Sequence, residues 1–250
     1  ISDPAILYLG TCNIPNSHKL INHNMKNLQL SFTMLLLLIG VGCTNASSFQ
    51  FEGDPYLSQN FTINGPGELK VETSGSSVAV TGTSGSTITI DMYVKYKGKE
   101  IDTENADIEE LLEEYDLEFS QNGNTISLTA KKSGSWGWNS DNGLNLAFKI
   151  SVPHAMSTNI NSSGGSISLT EISGNHEINT SGGSIKVAQS DGKSTTGSSG
   201  GTFRLEECMG IVSVATSGRL IKIRHVVVII SCGSCGGYAS WEDIVCSMIS

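Results

Sequence analysis

The tripeptide Ser163-Gly164-Gly165 returns after 18 residues as Ser181-Gly182-Gly183, and after 18 more as Ser199-Gly200-Gly201. Altered copies follow at the same step, Ser217-Gly218-Arg219 and Cys235-Gly236-Gly237. A hydroxyl residue precedes each one (Ser162, Thr180, Ser198, Thr216, Ser234). Four positions into each repeat stand Ile167, Ile185, Phe203, Ile221 and Ala239, and two further on Leu169, Val187, Leu205, Ile223 and Trp241. A second glycine falls at Gly174, Gly192 and Gly210. Polar and apolar residues alternate between the glycines, so each repeat reads as short strands with one buried face. The glycines supply the backbone freedom that tight corners need. Two strands and two corners in 18 residues make one coil of a flattened β-solenoid. Such a coil buries about four aliphatic side chains at roughly 1.5–3 kcal/mol each. Ordering its backbone costs roughly 18–36 kcal/mol. One coil therefore cannot fold alone, and stability must come from stacking. A β-propeller would need a period of about 40 residues and is excluded.

The expected fold is all-β: a flattened β-solenoid with an irregular N-terminal β region and one short helical insertion. Residues 61–95 carry alternating stretches punctuated by Ser-Gly, an irregular version of the coil. Residues 104–114 read as a helix, with Ile108, Leu111 and Leu112 on one face of an acidic segment. Strands are expected again over 115–131 and 144–152, the last feeding directly into the repeats. The solenoid domain is thus assigned to residues 61–250, with regular repeats over 145–250. Beyond about residue 217 the pattern decays at positions 219, 228, 235 and 246, and the chain reads as stopping inside its fifth coil.

The front of the chain has a different character. Met25-Lys26-Asn27 precedes the apolar run Leu28–Gly42, and Cys43 follows at once. A basic start, an apolar run and small residues before a cut are the parts of a secretory signal. Gly40-Val41-Gly42-Cys43 resembles a bacterial lipobox, departing from it in having Gly40 where Leu is usual. Cys43 is accordingly the expected lipid-bearing residue, residues 25–43 the signal peptide and 44–60 a linker. Residues 1–24 show no period and are read as lying upstream of the true start.

Composition narrows the function classes. Charged residues make up 16% of the chain, below the usual share of about 25%. The net charge of −9 repels a polyanion, so nucleic-acid binding is not expected. No run of 18 apolar residues offers a membrane-spanning helix.

Chemistry-bearing candidates are few. Eight residues into each repeat stand Glu171, Gln189, Glu207, His225 and Asp243. With strands about 4.8 Å apart, Glu171 and Glu207 would lie roughly 10 Å apart, near the upper limit for an inverting glycosidase pair. Their place just past a strand argues for solvated carboxylates instead. Cys232-Gly-Ser-Cys235 has redox or metal spacing, but no second pair supports it. Asn161 with Asn179, and Ser166 with Ser184 and Thr202, form supporting ladders. No phosphate loop, metal helix, nucleophile elbow or calcium-binding nonapeptide is present, so neither cofactor nor metal is expected. Trp136 and Trp138, among glycines and amides in Gly134–Gly143, are candidate stacking partners for a glycan, or else a local plug.

The lipoprotein signal, Phe61-Thr-Ile-Asn-Gly-Pro-Gly-Glu-Leu-Lys-Val-Glu-Thr-Ser-Gly75 and the stacked Ser-Gly-Gly-Ser-Ile units together resemble the putative adhesin family of bacterial envelope proteins. The resemblance spans roughly residues 61–250 and implies an exported β-helical protein, not a particular ligand. The expected function is that of a non-enzymatic, lipid-anchored envelope protein of the outer membrane or cell surface. Its partners would be the membrane, through its anchor, and a surface polysaccharide or envelope protein. The alternative is a carbohydrate-binding or carbohydrate-active β-helix protein.

Overall fold

The computed structural model describes residue 51 and residues 53–96, 99–100, 106–133, 144–216, 220–235 and 238–246. Residues 1–43, with the expected signal and Cys43, lie outside the described residues, as do Trp136 and Trp138. What is described is all-β apart from one helix of seven residues. The elements run β1 (Leu57–Thr62), β2 (Gly67–Thr73), β3 (Ser77–Thr83), β4 (Thr87–Tyr96), β5 (Lys99–Glu100) and α1 (Ala106–Leu112). They continue with β6 (Tyr115–Asn122), β7 (Thr125–Lys132), β8 (Leu144–Pro153), β9 (Met156–Ser162), β10 (Ile167–Thr170) and β11 (Ser173–Thr180). The last are β12 (Ile185–Ala188), β13 (Asp191–Ser198), β14 (Thr202–Glu206), β15 (Met209–Thr216), β16 (Leu220–Cys235) and β17 (Tyr238–Cys246). The first strand begins inside the stretch expected to be linker.

Pairing follows the 18-residue step of the sequence. Ile167, Ile185, Phe203 and Ile221 face one another across the parallel strands β10, β12, β14 and the first half of β16. Ile160, Ile178, Thr196 and Val214 do the same across β9, β11, β13 and β15. Alternation puts every second residue inside, and the columns Ile167–Ile221 and Leu169–Ile223 are buried throughout. Inward residues of both stacks join in one hydrophobic cluster. The turn glycines are demanded by this stacking. Gly165 and Gly201 have φ of 74° and 83°, and a Cβ at Gly183 would strike the backbone of Gly165 one layer below.

The N-terminal region departs from simple succession. β8 runs on into β9, where the 18-residue register begins, and itself pairs with β3, Val78 facing Phe148. β2 is bonded in parallel to both β7 and β9, and β3 to both β8 and β10. The earliest coil-like pair of strands is therefore enclosed between a later pair and the first regular repeat. The ladders are mixed, because β1–β4, β4–β5, β4–β8 and β6–β7 are antiparallel. Helix α1 ends at Leu112, two residues before the end of the 104–114 expected, and residues 104–105 lie outside the described residues. It is held by Ile108, which is buried in the core cluster, with Leu111 and Leu112 packed against that cluster.

Candidate functional site

On the stack containing β9 and β11, one outward column reads Thr129, Glu72, Asn161, Asn179, Gly197 and Ala215 from β7 to β15. Beside it, the turns carry Ser163, Ser181 and Ser199. The column from Glu72 to Ala215 and these serines border a groove of ≈ 680 Å³. Its rim is fixed from within. Thr73 Oγ1 donates to Ser162 Oγ at 3.0 Å, and Thr180 Oγ1 to the Gly165 carbonyl at 3.3 Å. Ser162 Oγ and Ser198 Oγ donate to the carbonyls of Gly164 and Gly200. The inward hydroxyls thus tie the turns, while Ser163, Ser181 and Ser199 are exposed.

The amides form a directed chain. Asn161 Nδ2 donates to Asn159 Oδ1 at 2.8 Å, and Asn179 Nδ2 to Asn161 Oδ1 at 3.2 Å. At the next layer the chain stops, because Gly197 has no side chain. A Cβ there would lie 2.6 Å from Asn179 Oδ1, so that oxygen overhangs the gap. At the other end Lys131 pairs with Glu72. Both side chains are about half exposed, so the pair adds little stability. It does cancel charge along the groove. The sequence showed the Asn161–Asn179 ladder, but Gly197 and Ala215 become an opening only once register sets them beside it.

The acidic column lies at a corner of the other stack. Glu171, Gln189 and Glu207 have φ of 57°, 49° and 52°, a left-handed conformation that costs an L-residue roughly 1–2 kcal/mol. Backbone bonds to the next layer hold them there: Glu171 N to Ala188 O, Gln189 N to Glu206 O and Glu207 N to Arg224 O, at 2.9–3.1 Å. All three side chains are exposed, and Gln189 Nε2 donates to Glu207 Oε2 at 2.9 Å. An amide therefore stands between the two carboxylates, and no apolar pocket surrounds either one. Of the expected hydroxyl column Ser166, Ser184 and Thr202 on this stack, Ser184 Oγ accepts from the backbone N of Thr202 at 3.1 Å, so the layers are joined there through main chain and not hydroxyl to hydroxyl.

Two buried groups in the core carry titratable side chains. His176 is 3% exposed in the inward column Leu69, Thr158, His176, Ser194, Val212. Its Nδ1 lies 3.1 Å from Thr158 Oγ1, and its Nε2 has no partner. Burial pushes its pKa down to about 4. Strand parity was the available signal, since His176 is two residues from buried Ile178. Cys208 is a buried free thiol whose Sγ donates to the Glu206 carbonyl at 3.2 Å, and burial pushes its pKa up. The side chains of Cys232, Cys235, His225 and Asp243 lie outside the described residues.

Neither a family model nor a curated protein matches the chain. Several solved structures do resemble it. One is a putative cell adhesion protein from Clostridium sporogenes, 9% identical, covering 74% of this chain and 98% of its own at a TM-score of 0.30. A putative adhesin from Bacteroides fragilis is 12% identical, with 77% and 95% covered and a TM-score of 0.35. A putative lipid binding protein from Parabacteroides distasonis is 12% identical, with 80% and 98% covered and a TM-score of 0.24.

Proposed function

We propose that this chain is a non-enzymatic, lipid-anchored protein of the bacterial cell envelope, whose β-solenoid presents a polar surface for adhesion. The observation carrying this reading is the 18-residue parallel register of two stacks around one core. That arrangement spends the inward residues on stability and leaves outward columns whose chemistry continues from layer to layer. Such a surface suits extended contact more than turnover of a small substrate. The corner carboxylates Glu171 and Glu207 are exposed, with the Gln189 amide between them, an arrangement of a contact surface more than of an enclosed acid–base pair. The anchor rests on the sequence Met25–Cys43. Expressed from Met25 in a bacterial host, the chain should incorporate labelled palmitate and fractionate with membranes, and Cys43→Ser should abolish both. A freely secreted, unlabelled parent protein would overturn the anchor.

A further inference from the structure

We infer that the groove along Asn161, Asn179 and Gly197 binds a neutral, hydroxyl-rich polysaccharide laid across the strands. The inference rests on the reading of the chain as a surface-contact protein and names the ligand class of that surface.

Four observations point to this chemistry. Asn179 Oδ1 overhangs the space left by Gly197 and accepts no hydrogen bond from a described residue. An amide oxygen held by a bonded neighbour is a fixed acceptor for a hydroxyl donor. The exposed hydroxyls of Ser163, Ser181 and Ser199 repeat once per layer along the rim. Strand spacing makes that step about 4.8 Å, comparable to the length one pyranose adds to an extended chain. Finally, the charges at the groove, Glu72 and Lys131, are paired with each other. An anionic polymer would find no unpaired cation there. A peptide partner would seek main-chain bonds at a sheet edge or apolar pockets, whereas this groove runs across strands that are bonded on both sides and holds no large apolar side chain.

Gly197 also makes the inference testable without unfolding the protein. Its backbone is outside the left-handed region, and an added Cβ would meet only the side-chain end of Asn179 and no backbone, so the amide has to turn aside by a few tenths of an ångström. Gly197→Gln therefore fills the groove at little structural cost. The experiment is affinity electrophoresis of the intact chain through gels containing glucomannan, galactomannan or dextran, with alginate and polygalacturonate as anionic probes. The parent should be retarded by at least one neutral polymer and by neither anionic one. Gly197→Gln and Asn179→Ala should each weaken that retardation about tenfold, the cost of roughly one lost hydrogen bond, with melting temperatures close to the parent's. Retardation by the anionic gels alone, equal retardation of parent and variants, or none in any gel would overturn the inference. Palmitate labelling is read independently, so loss of the anchor and loss of the ligand are told apart.

Discussion

A neutral imidazole offers one donor and one acceptor, and at His176 only Nδ1 meets a partner, Thr158 Oγ1. Protonation would place an uncompensated charge in the core, which is why burial holds the pKa down at about 4. In the unfolded chain the same ring titrates near 6.5. Between those values the unfolded state takes up a proton that the folded state refuses. Stability therefore falls as pH drops from about 6.5 to about 4, by about 3 kcal/mol in all, and this contribution levels off below. Above pH 6.5 the ring is neutral in both states and the contribution is constant. Urea unfolding of the parent and of His176→Val at pH 7 and pH 4 measures this directly, the valine matching Val212 of the same column. The parent should lose about 3 kcal/mol more than the variant over that interval, and equal losses would show that the imidazole is not the group responsible.

At the scale of single elements, the turn before β12 separates two glycines that look alike in sequence. A Cβ at Gly182 would meet nothing within 4 Å, whereas one at Gly183 would collide with the Gly165 carbonyl and its peptide. Gly182→Ala should change stability by no more than about 0.5 kcal/mol. Gly183→Ala must push two layers apart and should cost at least 1–3 kcal/mol, roughly the range for overpacking. Chemical denaturation of the pair decides it, and equal effects would contradict the layer contact. Repetition made these strands readable in advance. The alternation around Ile167, Ile185 and Phe203 named the inward residues, and the 18-residue step named their partners. The placement of β2 and β3 between later strands was not readable, because alternation says which face is buried and not which neighbour is bonded. Antiparallel β4 and β6 were hidden for the same reason. The groove was half visible, as an amide ladder without its opening. His176 was passed over because a histidine in a polar stretch such as Asn175–Asn179 draws attention only when its parity is counted.

For the whole molecule, each pair of strands touches chiefly the pairs on either side, so cohesion passes along the stack in series. Leu169, with no exposed surface, sits in β10 between β3 and β12. Leu169→Ala should cost roughly 2–5 kcal/mol and, by weakening the join, split a single calorimetric transition into two, one for the N-terminal layers and one for the repeats. A lower but still single transition would mean the layers melt as one unit despite the cavity. That same join governs how the chain reaches its native state. Within the repeats each strand finds its partner 18 residues away, while Thr73 of β2 waits for Ser162 of β9 across 89 residues. Loop-closure entropy rises only with the logarithm of length, so the longer closure costs about 1.4 kcal/mol more, or a tenfold slower encounter. During synthesis, β2 and β3 emerge before any of their four parallel partners exists. They must stay unpaired until β7 through β10 have followed. The repeats can zip up locally as they emerge, and the slow event is their arrival on a platform that was made first and finished last.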